Sequence, residues 1–245
     1  PYETFIDKFV CAVKQTFPHV FLHWEDFGRH YAYHNLKKYR DKICSFNDDL
    51  QGTGIVTLAA ILSAIHQTGQ PMDQQRIVIF GGGTAGMGVT NNICNALIRH
   101  GMPEATARKN FWIIDRNGLI TEKTEEVTEA QQPYSRPIQE VTSWNCKDPE
   151  NISLLETIQH IKPSILIGCS AQTDAFTEDI INAMSMHVKH PIILPLSNPT
   201  EKCEATPKNI MEWSRGQAII ATGSPFDPVD YQGHSHEISQ CNNYL

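Results

Sequence analysis

Five short apolar runs recur along the chain: Ile77-Val78-Ile79-Phe80, Phe111-Trp112-Ile113-Ile114, Ile165-Leu166-Ile167, Ile192-Ile193-Leu194 and Ala218-Ile219-Ile220. Each is separated from the next by enough residues for a crossover helix. A strand that is apolar on both faces cannot lie at a surface, so these runs belong in a parallel sheet covered by helices on both sides. The segments between them fit helices: Met87 to His100 ended by Gly101, Leu154 to Ile161 stopped before Pro163, Thr177 to Met186, and Pro207 to Trp213 with Thr206 as cap and Gly216 beyond. The expected fold is therefore α/β, a doubly wound, Rossmann-like parallel sheet from about Gln75 to Gly223. Residues 117–150 are polar and poorly patterned, and read as an insertion with little sheet of its own.

Directly after the first run stands Gly81-Gly82-Gly83-Thr84-Ala85-Gly86, which matches G-x-G-x-x-G. In that place Gly81 permits the tight turn, Gly83 lets backbone approach a phosphate, and Gly86 packs the next helix closely on the strand. The helix N-terminus then points free N–H groups at a pyrophosphate. As a bare string the motif is weak, but between a strand and a helix it is a strong signal for a dinucleotide. Asp115 ends the next strand, somewhat farther on than the usual ~20 residues, where a carboxylate reads a ribose hydroxyl and favours NAD. Asp115-Arg116-Asn117-Gly118 is also a good turn, and Arg116 keeps NADP open because it can pair with a 2′-phosphate.

Upstream, Tyr2 to Phe17 has helical spacing, and Val20-Phe21-Leu22 forms a short strand ending in Trp24-Glu25-Asp26. Asp26 is placed to cap a helix on which Tyr31, Leu36 and Tyr39 share a face, and a third helix runs from Thr53 to His66, closed by Gly69. Glu25-Asp26 and Asn47-Asp48-Asp49 both follow ordered segments and precede helices. Converging carboxylates there would make a hard oxygen site for Mg²⁺ or Mn²⁺. Asp26 as a helix cap with Asp48 and Asp49 as solvated turn residues fits the spacing equally well.

The formal charge of −7, spread without long runs of one sign, argues against nucleic acid or a membrane surface as the main partner and leaves a small molecule. No stretch approaches the ~20 apolar residues of a membrane span, so a soluble chain is expected, cytoplasmic or of the mitochondrial matrix. Seven scattered cysteines with no Cys-x-x-Cys pair suggest neither a disulfide framework nor a zinc site, and point to a reducing compartment. His30 with His34 and His234 with His236 lack a third ligand at useful spacing.

Taken together, Trp24-Glu25-Asp26-Phe27-Gly28, Phe46-Asn47-Asp48-Asp49-Leu50-Gln51-Gly52-Thr53, the Gly81 to Gly88 loop, Leu196-Ser197-Asn198-Pro199-Thr200 and Ala221-Thr222-Gly223-Ser224-Pro225-Phe226 resemble the malic enzyme family, in order and over nearly the whole chain. The resemblance implies oxidation of L-malate with NAD, or NADP, and a divalent metal, followed by decarboxylation to pyruvate and CO₂. It implies Glu25, Asp26 and Asp49 as metal ligands, and Asp48 as the support of a general-base lysine. Thr53, Gly81, Gly83, Thr84, Ala85 and Gly86 would lie at the cofactor and Asp115 at its adenosine ribose, with Asn198 and Asn243 near nicotinamide and substrate. A glutamine in Gln131-Gln132-Pro133 resembles NAD-preferring members. Residues 1–47 would be a remnant of the metal and substrate domain and 48–245 the NAD-binding domain, with the chain returning to the active site at its end. The family's lysine, tyrosine and substrate arginine would precede Pro1, so a fragment of a homodimeric or homotetrameric parent is expected, inactive alone. A free-standing NAD-binding module without catalysis and a dehydrogenase for another 2-hydroxy acid are the alternatives; neither calls for Glu25, Asp26 and Asp49 together.

Overall fold

A computed structural model describes residues 1–242, apart from the side chains of residues 29 and 30. Helix α1 (Tyr2–Thr16) buries Ile6 and Val10 in a small cluster with Trp24 and Tyr39. Strand β1 (Leu22–Trp24) leads through α2 (Arg29–Tyr39) to β2 (Ser45–Asn47), and the two strands pair in parallel with Trp24 opposite Asn47. The strand expected at Val20 therefore begins later, and its partner was not foreseen because Ser45-Phe46-Asn47 has too little pattern to read. Asp26 is not a helix cap: Gly28 holds the N-cap position of α2 without a side-chain bond, and Asp26 itself has a left-handed φ of 60°.

A single π-helical turn, Asp48–Gly52, joins β2 to α3 (Thr53–Thr68). Asn47 fixes this turn reciprocally, since its side chain accepts the Leu50 N–H at 2.8 Å and its own N–H donates to Gln51 Oε1 at 3.0 Å. Gly69, with φ 67°, ends α3 as expected.

The main sheet follows: β3 (Ile77–Phe80), α4 (Thr84–Arg99), α5 (Glu104–Arg108), β4 (Phe111–Asp115), β5 (Gly118–Leu119), α6 (Ile138–Val141), α7 (Leu154–Ile161), β6 (Ile165–Gly168), α8 (Glu178–Ser185), β7 (Ile192–Pro195), α9 (Pro207–Trp213) and β8 (Ile219–Thr222). A hairpin of β9 (Val229–Tyr231) and β10 (His234–His236) precedes the short β11 (Ser239–Gln240). The strand order is β11-β8-β7-β6-β3-β4-β5, all parallel except β5, which lies antiparallel to β4. Alternate side chains feed two cores: Ile77, Ile79, Ile113 and Ile167 pack with Ile61, Val89 and Ile93 of α3 and α4, while Val78, Leu166 and Ile193 pack with Ile158, Ile181 and Ile210 of α7, α8 and α9. Both faces are covered, as the doubly apolar runs required.

The chain leaves β3 towards β4 on one side and later returns to place β6 on the other. That reversal opens a crevice at the carboxyl ends of β3 and β6, the place where such sheets bind ligands. The segment 117–150 contributes only β5, short helical turns and one bridge between Thr121 and Arg136. Helix α5, the hairpin and β11 escape the sequence pattern because they are short and largely exposed. No helix among the described residues is long and apolar enough to cross a membrane.

Candidate functional site

Gly83 is the N-cap of α4 and supplies no side-chain bond to the first-turn N–H groups. Gly81 has φ 108°, and a Cβ there would lie 2.3 Å from the Cys169 carbonyl oxygen; a Cβ on Gly86 would lie 1.9 Å from the Gly81 carbonyl. Both glycines are thus required for loop, helix and neighbouring strand end to close up. The resulting cleft, about 210 Å³, is lined by Gly81, Gly83, Asp115, Arg116, Cys169 and Gln172 among others.

Asp115 stands at the end of β4, held from two sides. Its Oδ1 accepts the Arg116 N–H at 3.0 Å, and its Oδ2 accepts one amide N–H of Gln131 at 2.7 Å. The same Gln131 nitrogen donates to the Gly82 carbonyl at 2.8 Å, and Gln131 Oε1 accepts the Thr128 N–H at 2.9 Å. Gln131 is 2% exposed, so this amide locks Asp115 to the glycine loop from beneath.

The carboxylates line a second cavity, beside Ala85 in the first turn of α4. Because β1 and β2 run parallel and in register, Glu25-Asp26 and Asp48-Asp49 leave them side by side. Glu25, Asp26 and Asp49 line a cavity of about 390 Å³ together with Thr53, Ala85, Asn198 and Asn242. Asp49 Oδ2 accepts the Asp26 N–H at 3.0 Å. Burial pushes the Asp49 carboxyl above the usual carboxylate range; the Asp26 N–H opposes this, while the charges of Asp26, Glu25 and Asp48 add to it. Among the described residues, no three His, Cys, Asp or Glu side chains are gathered closely enough to hold a metal ion. Asp48 is 1% exposed, which removes the reading of it as a solvated turn residue.

The family model described as "Malic enzyme, NAD binding domain" matches residues 50–245, and "Malic enzyme, N-terminal domain" matches residues 1–40. The chain belongs to the malic enzyme family. It is 49% identical over 245 residues to NAD-dependent malic enzyme 3 of Bacillus subtilis, covering 100% of this chain and 43% of that protein. It is 44% identical to the malolactic enzyme of Leuconostoc mesenteroides, again over 100% of this chain and 44% of that one. The chain thus spans less than half the length of these relatives. Among solved structures, Entamoeba histolytica malic enzyme superposes with TM-score 0.72 at 22% identity, over 98% of this chain and 43% of that one. The NAD-dependent malic enzyme of Thermotoga maritima gives 0.69 at 24%, over 97% and 54%. At those identities the likeness is one of fold.

Within this malic enzyme scaffold, Thr84 opens α4 and Ala85 beside it lines the acidic cavity, and Thr53 opens α3 at the cavity wall. Asn198 follows β7 and its amide donates to Asn242 Oδ1 at 3.4 Å, because β11 beside β8 returns the chain to the sheet's carboxyl edge. The expectation for Asn243 lies outside the described residues. Sequence reasoning missed Asn242 and β11, which carry no periodic signal, and had Gln131 only through resemblance. It also missed Glu204, a fully buried carboxylate under the β6 and β7 loops, whose surroundings Cys203-Glu204-Ala205 give no motif.

Proposed function

We propose that this chain is the NAD-binding and metal-binding core of an enzyme that oxidises L-malate with NAD and decarboxylates the product to pyruvate and CO₂. The observation that supports this reading is the adjacency of two unlike cavities: Cys169 lines both the glycine-loop cleft and the carboxylate cavity. A dinucleotide whose pyrophosphate lies on the α4 N-terminus would present its nicotinamide towards the cavity where a small dicarboxylate sits, the proximity hydride transfer requires. Asp115 would take the adenosine ribose hydroxyls, and its charge disfavours a 2′-phosphate, so NAD is preferred over NADP. Asn198, with Asn242 beside it, would orient substrate and nicotinamide through amide hydrogen bonds.

The hard oxygen set of Glu25, Asp26 and Asp49 suits Mg²⁺ or Mn²⁺, and a cation would offset the burial, and after it the neighbouring charges, that raise the Asp49 carboxyl. Such an ion would polarise the C2 oxygen of the substrate as a Lewis acid. Asp48, buried behind Asp49, would orient the residue that removes the hydroxyl proton. On this reading residues 1–47 belong to the metal and substrate half and residues 48–245 to the dinucleotide half.

Calorimetric titration with NAD and with NADP, each with and without Mn²⁺, tests the proposal. NAD binding that Mn²⁺ strengthens is the expected result, and absence of NAD binding overturns it. Incubation of a full-length enzyme containing this core with L-malate, NAD and Mn²⁺ then separates NADH plus pyruvate from lactate, the product suggested by the name of the Leuconostoc relative.

A further inference from the structure

The two loops that form the inner wall of both cavities rest on one buried side chain. Glu204 is 0% exposed. Its Oε1 accepts the Ser170 N–H at 2.8 Å, the Ser170 hydroxyl at 2.9 Å and the Ser197 hydroxyl at 2.5 Å, while Oε2 accepts the Ser197 N–H at 3.3 Å. Four donors from two different loops offset the cost of burying the carboxyl group. A Cβ on Gly168 would lie 2.5 Å from Glu204 Cδ, so the last residue of β6 must be glycine for the carboxyl group to fit beneath it.

The linkage continues to the surface. Ser197 Oγ accepts the Ala171 N–H at 2.8 Å, and Ala171 has a left-handed φ of 55°, a conformation that costs a non-glycine residue energy and persists only where its surroundings hold it. Ser170 and Gln172 line the cofactor cleft, whereas Ala171, Ser197 and Asn198 line the carboxylate cavity. Glu204 therefore touches neither cavity but fixes the backbone of both loops that do.

We propose that Glu204 is a positioning residue for the nicotinamide end of the cofactor site: it clamps the β6 and β7 loops together and thereby sets Ala171 and Asn198. The inference rests on the dinucleotide reading given above. In a doubly wound sheet one half receives each mononucleotide, so β3 and β4 with the glycine loop and Asp115 serve the adenosine end, and the β6 and β7 loops serve the other. Loss of the clamp is felt more by NAD than by ADP-ribose, which lacks nicotinamide and meets the clamped loops only where Ser170 and Gln172 line the glycine-loop cleft. A residue that only supports the fold would weaken both alike.

The test measures affinity of the full chain for NAD and ADP-ribose in Glu204→Ala, Glu204→Gln and Ser197→Ala, together with amide hydrogen exchange at residues 170–172 and 197–198 without ligand. Glu204→Ala is expected to weaken NAD at least about tenfold and ADP-ribose by at most about threefold. Ser197→Ala should shift NAD in the same direction by less, because it removes one donor and one acceptor of the network. Glu204→Gln should fall between, keeping an acceptor for the hydroxyls but setting an N–H against the Ser197 N–H. Equal weakening of both ligands, or none, overturns the proposal. Should Glu204→Ala fail to fold, the other two variants make the same comparison. If the unchanged chain binds neither ligand, the dinucleotide reading falls and takes the nicotinamide role with it. In that event faster exchange at Ser170, Ala171 and Ser197 in Glu204→Gln still shows the clamp, and unchanged exchange refutes it too.

Discussion

Gln131 and Asp115 are joined by a 2.7 Å hydrogen bond from a side-chain amide that is 2% exposed to a carboxylate lining the glycine-loop cleft. The amide's other bonds, to the Gly82 carbonyl and the Thr128 N–H, tie the insertion after β5 to the glycine loop. A segment with almost no sheet of its own thus sets the orientation of the residue that would read the ribose.

Replacing Gln131 by Leu keeps its bulk but leaves the Gly82 carbonyl and the Thr128 N–H without that partner. Removing one side of buried hydrogen bonds costs about 1–3 kcal/mol, so a lower urea midpoint is expected. NAD affinity should fall as well, because Asp115 loses the hold of the Gln131 amide on Oδ2. An unchanged NAD affinity in the folded variant would show that Asp115 needs no support from below.

Gly86→Val and Gly83→Val should separate fold from binding. At position 86 the new Cβ would meet the Gly81 carbonyl, 1.9 Å from the ideal Cβ position, so loop and helix cannot keep their packing and thermal stability falls with NAD affinity. At position 83, the N-cap of α4, a side chain stands where a phosphate would approach. NAD binding should be lost there with a smaller change in melting temperature. Equal stability losses at the two positions would refute this division of labour.

Asp49→Ala should remove the Mn²⁺ response while leaving NAD affinity in the absence of metal close to that of the unchanged chain. Loss of a residue that merely supports a metal ligand already costs about 10–100-fold in metal affinity, and loss of a ligand costs at least as much. Calorimetry of Mn²⁺ binding reads the effect directly. Retained Mn²⁺ affinity would sink the metal assignment for Glu25, Asp26 and Asp49 together.

The parallel sheet was legible because β3, β6 and β7 are apolar on both faces and stand between helices with clear boundaries, such as the stop at Gly101 and the cap at Thr206. The glycine loop was legible because its function depends on the absence of side chains at fixed spacing. The carboxylate cavity was not legible from spacing, since β2 has only three residues and its register with β1 decides where Asp49 goes. Gln131 and Glu204 act through contacts with residues far away in sequence, 49 positions to Gly82 and 34 to Ser170, and no local pattern reports such pairs. Asp26 shows the opposite error: a good helix-capping residue that tertiary structure uses elsewhere.

Alkaline stability depends in part on two buried thiols that no proposed chemistry uses. Burial pushes Cys203 and Cys241 up to about 11 from an ordinary value of 9.0. A group whose pKa is higher in the folded chain than in the unfolded one contributes stability that is complete below the unfolded value and is lost as pH rises through the folded value. The window for both thiols is therefore about pH 9 to 11. Cys241 is 3% exposed and packs in the core shared with Ile167 and Leu194, so Cys241→Ala costs some packing at every pH. Its decline in urea midpoint between pH 8.5 and pH 10.5 should nevertheless be shallower than that of the unchanged chain, as the part of this contribution that Cys241 supplies is gone. Parallel declines would show that Cys241 ionises in the folded chain as easily as in the unfolded one.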